Sequence, residues 1–257
     1  MKNKVKFAIF IILSLCLIIL GGFLETKRFI VKEYNIIDSS LPSNFNGLKI
    51  IHFGDILYGS STNKNYLEKI VKEINILKPD IVIYTGDLYA KDIKLTKNNE
   101  KEIKDILNKL EVRLYKYAIK GDNDHDNYAM LMKDAGFIIL DNIKEKLYYK
   151  GNTPIVISNT INDEDLFTIQ LIHKPDDVDN LDTSNINVIL AGHSLNGQIR
   201  LPFYGGIIKK EGGKKYIDDK YIVNDIPLYI TNGLGINNYK IRLFNTPSIN
   251  IYRLTNY

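Results

Sequence analysis

The sequence predicts an α/β domain that follows one N-terminal transmembrane helix. Three observations support this prediction: an apolar segment near the start, three successive strand–loop–helix patterns with Gly-Asp at each strand end, and a second half rich in short strands. In such parallel arrangements the functional groups collect at the carboxyl ends of the strands. The chain has 257 residues, of which 45% are hydrophobic and 25% are charged. It is therefore long and apolar enough for one or two folded domains, and it is not a disordered chain.

The composition limits the chemistry that the protein can use. A net charge of +4 is too small to indicate nucleic-acid binding, so no nucleic-acid partner is expected. The single cysteine excludes an intramolecular disulfide and a cysteine-based zinc module. Four histidines are available for a metal site or an acid–base site: His52, His125, His173 and His193.

The first predicted element is a transmembrane anchor over residues 7–24. This segment carries no charge, and at about 1.5 Å per residue it spans roughly 27 Å, close to the thickness of a hydrocarbon core. It follows a tail over 1–6, which is expected in the cytoplasm because the tail is short and the domain that follows is large, while the positive charges on the two sides of the segment are nearly balanced. The protein would then be a single-pass protein of the cell membrane with its domain outside the cytoplasm. A cleaved signal peptide and a buried soluble helix are the alternatives, although 21–25 forms a poor cleavage site.

The rest of the chain divides into a juxtamembrane linker over 25–46 and a folded domain over 47–257. A turn-rich sequence closes the linker. Within the domain, strand-like apolar runs alternate with helical spacing, as in Leu67, Ile70 and Ile74. The predicted elements are, in order, strand 48–53, helix 66–77, strand 81–85, helix 98–110, strand 114–119, helix 127–135 and strands 148–150, 154–158, 167–173, 187–191, 228–231 and 249–254.

Aspartate and histidine residues follow five of the predicted strands. Asp55, Asp87 and Asp122 each follow a glycine at a strand end, and His173 and His193 each follow an apolar strand. Any one of them could belong to an ordinary turn or loop, but five in succession predict a shared site. Carboxylate and imidazole ligands together suit Mn, Fe, Zn or Mg ions.

These blocks resemble the motifs of the calcineurin-like metallophosphoesterases, and specifically those of their membrane-anchored bacterial branch. The family pattern is D-x-H, then G-D, then G-N-H-[DE], then an isolated His, then G-H-x-H. The resemblance covers about residues 48–254 and keeps the order and spacing of the blocks. It implies a β-sandwich of two mixed sheets flanked by helices. The matching blocks are Asp55-Ile56-Leu57, Gly86-Asp87, Gly121-Asp122-Asn123-Asp124, His173 and Gly192-His193-Ser194-Leu195.

The resemblance also implies a centre of one or two divalent metal ions. In the family, two ions share a bridging carboxylate and a bridging hydroxide. Asp87 would be the bridge here. The second metal keeps its ligands, whereas the first loses two because Leu57 and Leu195 stand where the family has histidines. The implied metal ligands are Asp55, Asp87, Asp122, His173 and His193.

The residue that protonates the leaving group in the family is altered in this sequence. Asn123 occupies the position of that histidine, and an amide cannot act as a general acid near neutral pH. His125 lies two residues further on, so Asn123 and His125 are the catalytic candidates. A register shifted by one residue, with Asn123 as the metal ligand in place of Asp122, stays open. His52 lies within a predicted strand and is expected to be structural.

The anchor and the motifs together predict a membrane-anchored, metal-dependent phosphoesterase with one intact metal site. It would hydrolyse a phosphoester by means of a metal-bound hydroxide. The anchor and the resemblance favour phosphoesters associated with the membrane or the cell wall as substrates. The alternative is a catalytically impaired family member that binds a phosphorylated ligand or a partner, because both the metal motifs and the acid are altered.

Overall fold

A computed structural model of the chain describes residues 2–93, 96–237 and 240–257. The helices in this part of the chain are α1 (Lys2–Glu25), α2 (Lys64–Leu77), α3 (Lys97–Leu107) and α4 (Tyr128–Asp134). The strands are β1 (Ile30–Ile37), β2 (Lys49–Phe53), β3 (Ile81–Tyr84), β4 (Tyr115–Ala118), β5 (Ile138–Ile139), β6 (Lys144–Leu147), β7 (Ile155–Ser158), β8 (Thr168–Leu171), β9 (Val188–Ala191), β10 (Arg200–Leu201), β11 (Gly205–Gly206), β12 (Lys220–Val223), β13 (Ile226–Ile230) and β14 (Ser248–Thr255).

Two six-stranded mixed sheets form the body of the domain. The first has the order β1-β14-β2-β3-β4-β5, in which β2, β3, β4 and β5 run parallel and β14 runs antiparallel to β2. The second has the order β12-β13-β9-β8-β7-β6, with a parallel centre and antiparallel strands at both edges. This architecture confirms the expected sandwich of two mixed sheets flanked by helices.

The main core lies between the two sheets. Ile50 and Ile83 from the first sheet are fully buried in one cluster with Ile157, Ile169 and Leu190 from the second. Burying an aliphatic side chain of this size stabilises the fold by about 1.5–3 kcal/mol, so the paired faces hold the sheets together. The carboxyl ends of their parallel strands are thereby fixed close to one another.

The helices α2, α3 and α4 cover the outer face of the first sheet. Leu67, Ile70 and Ile74 of α2 are buried in one cluster with Phe53 of β2 and Val82 of β3. Their spacing is the helical periodicity predicted for this segment, and it presents one apolar stripe to the sheet.

Most predicted elements lie within a few residues of an observed one, but two predictions differ from the structure, and the short strands β5, β10, β11 and β12 were not predicted. The strand predicted over 148–150 is wrong, because β6 ends at Leu147, which is buried, while Tyr148 is exposed. The interval 25–46, expected as a linker, contains β1, which pairs in parallel with β14 along its whole length. Only Ile36 of β1 is buried, so the segment lacks the apolar signature of an internal strand.

The helix α1 is long and apolar enough to be a candidate membrane span, by length and composition alone. The candidate covers Asn3–Glu25 with a mean hydropathy of 2.9, and a signal sequence would have the same properties. Near its C-terminal end, α1 packs closely against the domain. A Cβ at Gly22 would lie 2.6 Å from the carbonyl oxygen of Arg242 and 2.7 Å from Cγ1 of Ile241, so only glycine permits this contact.

Candidate metal centre

The candidate site lies where the parallel strands of the two sheets end. Asp55 follows β2 and Asp87 follows β3, two neighbouring strands of the first sheet. His173 follows β8 and His193 follows β9, two neighbouring strands of the second sheet. Because the two sheets pack face to face, residues that are far apart in the sequence converge here, as the strand-end pattern predicted.

Three of these residues form a compact group of potential metal ligands. One ligand atom each from Asp87, His173 and His193 lies within 4.8 Å of the others, and all three residues are buried. His173 Nε2 lies 3.4 Å from Asp87 Oδ1 and 3.1 Å from His193 Nδ1. This spacing leaves carboxylate and imidazole atoms around one point, which is the donor set that divalent transition metals prefer.

Backbone carbonyls hold both histidine rings in orientation. His173 Nδ1 donates to the Thr85 carbonyl oxygen at 2.6 Å, and His193 Nε2 donates to the Glu211 carbonyl oxygen at 2.7 Å. Each ring therefore turns its other nitrogen toward the group of ligands. Carbonyl partners of this kind commonly fix the tautomer of metal-binding histidines.

Asp55 presents an unsatisfied carboxylate oxygen beside this group. Its Oδ2 accepts a hydrogen bond from the backbone N–H of His193 at 2.9 Å, while its Oδ1 is buried without a partner in residues 2–93, 96–237 and 240–257. Burial and the nearby charge of Asp87 raise the pKa of Asp55 to about 6. An unpaired buried carboxylate oxygen is unfavourable, and a bound cation would satisfy it, so the residues present fit a divalent metal.

Burial and neighbouring charges shift the pKa values of the titratable groups in the centre. Burial raises the pKa of Asp87, but its hydrogen bond to His173 and the nearby positive charges outweigh burial and lower it to about 2. Burial lowers the pKa of His173, but the contact with Asp87 prevails and raises it to about 9. Burial, Lys210 and His173 lower the pKa of His193 to about 4. Without metal, Asp87 and His173 thus form a buried ion pair beside a neutral His193.

Lys210 is a member of the site that the sequence analysis missed. Its Nζ lies 3.9 Å from Asp87 Oδ2 and 3.5 Å from His193 Nδ1. Its positive charge opposes the rise in the pKa of Asp55 and contributes to the lowered pKa of Asp87. Lys210 belongs to a lysine-rich loop far from the aspartates in sequence, so no local motif marks it.

Leu57 and Leu195, which replace two family histidines, lie in one small apolar cluster with Ala90 and Ile93. A Cβ at Gly233 would lie 2.4 Å from Cδ2 of Leu195 and 2.9 Å from Cβ of Asp55, so Leu195 and Asp55 lie side by side. The two leucines therefore lie next to Asp55.

The candidate residues Asp122, Asn123 and His125 do not all face the site. Asp122 is exposed, and Lys174 Nζ lies 3.0 Å from its Oδ1. Asn123 faces the centre: its backbone N–H donates to Asp87 Oδ1 at 2.8 Å and its Nδ2 donates to Asp87 Oδ2 at 2.9 Å. His125 is exposed and stacks on Tyr89, with ring centroids 5.1 Å apart.

Two further contacts hold together the loops that follow β3 and β4. Asp124 is buried and accepts hydrogen bonds from the backbone N–H groups of Asp87, Leu88 and Gly121 at 2.8–3.0 Å. A Cβ at Gly121 would lie 2.2 Å from the backbone nitrogen of Asp87, so the two strand-end loops can approach only through glycine. The glycines thus bring the loops together, and Asp124 holds them there.

His52 has a structural position, as expected. It is fully buried in β2, with its ring nitrogens 3.2 Å from the Tyr252 hydroxyl and 3.0 Å from the Thr85 hydroxyl. Burial lowers its pKa to about 3, so the ring is neutral at neutral pH.

Residues 48–197 match the family described as calcineurin-like phosphoesterase. The chain belongs to this family. Calcineurin-like phosphoesterases act on phosphoesters and use divalent metals, which agrees with the donor set formed by Asp87, His173 and His193.

Three relatives illustrate the range of the similarity. The uncharacterized metallophosphoesterase YkuE of Bacillus subtilis is 29% identical, with 90% of this chain and 87% of YkuE covered. The phosphodiesterase YaeI of Escherichia coli is 22% identical, with 80% and 82% covered. The UDP-2,3-diacylglucosamine pyrophosphatase LpxG of Chlamydia muridarum is 30% identical over 96 residues, which is 36% of this chain and 28% of LpxG.

Proposed function

We propose that the protein is a membrane-anchored phosphoesterase that binds one divalent metal ion at Asp87, His173 and His193. The observation that carries this proposal is the grouping of their ligand atoms within 4.8 Å, beside an Asp55 oxygen without a partner in the described residues. Mn, Fe, Zn and Mg all suit this donor set, and Asp55 is positioned to hold a second, weaker ion. The helix α1 supports anchoring, and the short tail before it and the large domain after it favour a tail in the cytoplasm and a domain outside it.

Each residue has a distinct role in the proposed reaction. A bound divalent metal lowers the pKa of a water molecule and polarises a phosphoryl oxygen. Asp87, His173 and His193 hold the ion, and the Lys210 ammonium group adds positive charge for a phosphoryl group entering beside Asp87. Asn123 offers amide hydrogens to a phosphoryl oxygen but no acidic proton. Protonation of the leaving group would therefore come from water, or from His125 if the 121–125 loop turns inward.

Two neighbouring residues of the 121–124 loop compete for the position of a fourth ligand. Asp122 matches the family's ligand position in sequence, whereas Asn123 contacts Asp87 in the structure. Asp122→Ala and Asn123→Ala distinguish them. Substitution of the residue that binds the ion should lower the metal content, and substitution of the other residue should leave it unchanged.

The experiment is metal analysis of the full-length chain in detergent, combined with hydrolysis of bis(p-nitrophenyl) phosphate under added Mn. About one Mn per chain is expected, and His193→Ala should lose both the metal and the turnover. His125→Ala is the matched histidine control for metal content, because His125 stacks on Tyr89 away from the ligand group. A chain that binds no metal and shows no turnover would overturn the proposal.

A second candidate function is favoured by one observation, the apolar cluster of Leu57 and Leu195 beside Asp55. This cluster, together with Asn123 at the position of the family's acid, is what we would expect of a family member that binds a phosphorylated ligand without hydrolysing it. Retention of about one metal per chain with no turnover of any phosphodiester would favour this candidate over the enzyme.

The substrate class that we assign is a phosphoester at the membrane surface. The relative LpxG is named for a diacylated sugar nucleotide, and α1 would hold this chain's site near such molecules. The test compares hydrolysis of a lipid-borne and a water-soluble phosphodiester by the full-length chain in vesicles.

A further inference from the structure

A short hairpin displays apolar side chains to solvent. Strands β10 and β11 pair antiparallel, and the chain turns between them through Pro202, Phe203 and Tyr204. The side chains of Phe203 and Tyr204 are 111% and 77% exposed. Leu201 and Ile207, on either side of the turn, are also exposed. Four large apolar or aromatic side chains thus lie together on a projecting turn.

The conformation of the turn is unusual for the residue at its tip. Phe203 has a φ of +66°, a region that bulky side chains rarely occupy. The Tyr204 N–H donates to the Leu201 carbonyl oxygen at 3.2 Å and closes the turn around it. Because Phe203 is fully exposed, packing within the domain does not explain why an aromatic residue occupies this position.

The hairpin lies next to the end of the domain that contacts α1. At its base, the Arg200 N–H donates to the Leu243 carbonyl oxygen at 2.9 Å. The same 241–244 segment packs against α1 at Gly22, and Leu243 and Phe244 line a cavity with Leu17 and Ile18 of α1. The exposed hairpin is therefore connected, through one short segment, to the last turns of the candidate membrane span.

We infer that the tip of this hairpin inserts into the interfacial layer of the same bilayer that α1 spans. The inference rests on the proposed anchoring through α1. Aromatic side chains are favoured at membrane interfaces, where their apolar ring and polar edge match the headgroup boundary. The exposed Lys209 lies shortly after the hairpin, with the exposed Lys214 beyond it, and lysines near an apolar insertion add attraction to anionic headgroups.

The hairpin also connects the bilayer to the candidate metal centre. Gly206 of β11 packs on Gly197 in the loop that carries His193, since a Cβ at Gly197 would lie 2.6 Å from the Gly206 Cα. Lys210, which reaches Asp87, lies seven positions after Phe203 in the chain. Seven residues span at most about 24 Å, so an inserted tip at Phe203 would hold Lys210 within about 24 Å of the interfacial layer. The substrate class that fits this arrangement is a phosphoester carried on a lipid headgroup.

The test places single tryptophans in the full-length chain, which has none of its own. Phe203→Trp and Tyr204→Trp report on the hairpin, and the second avoids the positive φ of the tip. Phe10→Trp reports on α1. Ile161→Trp is the matched control, because it is an exposed apolar residue in the loop after β7, near the edge of the second sheet opposite β12. Each variant is reconstituted in vesicles with and without bromine-labelled acyl chains, which quench tryptophan only on contact.

Quenching and a blue shift of both hairpin tryptophans, with Ile161→Trp unaffected, would support the inference. Unquenched hairpin tryptophans with a quenched Phe10→Trp would overturn the hairpin contact and leave the anchor intact. Blue-shifted but unquenched hairpin tryptophans would indicate that protein covers the hairpin, and this result also overturns the inference. An unquenched Phe10→Trp would overturn the anchor and the hairpin contact together.

Discussion

Several residues around the candidate metal centre hold left-handed backbone conformations. Asp55, Asp87 and His193 have φ values of 49°, 60° and 63°, and Leu57 and Leu195 have 49° and 51°. Such conformations cost roughly 1–2 kcal/mol for ordinary side chains, and histidine accepts them more readily than leucine. The loops therefore hold Leu57 and Leu195 in a backbone conformation that suits histidine better than leucine.

The first prediction at this scale is that Leu57→His with Leu195→His raises metal stoichiometry from about one toward two ions per chain. The two side chains meet beside Asp55, and each new imidazole lies on a backbone suited to histidine. Metal analysis and the shift in thermal unfolding on adding Mn measure the effect. Leu57→Asn with Leu195→Asn is the control that matches polarity without imidazole ligands. Stoichiometry that stays at one would show that the ligand assignment of the first metal is wrong.

The second prediction concerns His52, whose pKa burial lowers from 6.5 to about 3. Because the unfolded chain binds a proton that the folded chain refuses, this group contributes stability above pH 6.5 and loses it as the pH falls toward 3. Between pH 7 and pH 4 the loss from this residue is about 3 kcal/mol. In urea unfolding of the full-length chain, His52→Gln should remove this part of the acid sensitivity. Equal pH dependence in both chains would contradict the assignment.

At the scale of elements, β1 joins the region after α1 to the domain. It pairs with β14, which in turn pairs with β2, the strand that leads to Asp55. The segment is thus part of the sheet that positions the site. Together with the close contact at Gly22, it gives α1 and the domain two successive attachments.

The prediction at this scale compares two neighbouring residues of β1. Ile36→Asp places a carboxylate among the buried residues between the sheets and should lower the free energy of unfolding by about 4 kcal/mol. Ile37→Asp changes an exposed neighbour and should have little effect. Urea unfolding of the two full-length variants measures the difference. If both substitutions were neutral, β1 would not be an integral strand of the sheet.

At the scale of the whole molecule, one end of the domain carries α1, the 241–244 segment and the exposed hairpin. Gly206 of the hairpin packs on Gly197 in the loop after His193, so this end is continuous with the metal centre. If the proposed anchoring through α1 holds, the protein would meet its substrates by diffusion within the membrane plane.

The prediction that follows concerns surface dilution in vesicles containing the full-length chain. Diluting a lipid-borne phosphodiester tenfold with inert lipid, at constant total substrate, should lower the initial rate about tenfold when the enzyme is below saturation, because the effective concentration is set by the surface. The rate on soluble bis(p-nitrophenyl) phosphate should not change with lipid content. If the rate on the lipid-borne substrate depended on its bulk concentration and not on its surface concentration, the result would contradict the proposed anchoring.

The sequence was sufficient for the features that depend on local pattern. Buried strands followed by Asp or His are visible because apolar runs and Gly-Asp pairs are local, and parallel packing makes their ends meet. Ile36 and the rest of β1 were missed because an edge strand with one buried residue resembles a linker. Lys210 and the inward turn of Asn123 depend on contacts between distant loops, which local spacing does not encode.

The buried ion pair of Asp87 and His173 has a consequence for how the protein matures. This pair and the nearby Lys210 balance charge within the site, which lowers the cost of burying these groups before a cation binds. Metal would then bind to the already folded chain: the cation enters the site, and the proton on His173 leaves. Folding and metal binding would then be separable events, and metal binding would become more favourable as the surrounding medium becomes less acidic.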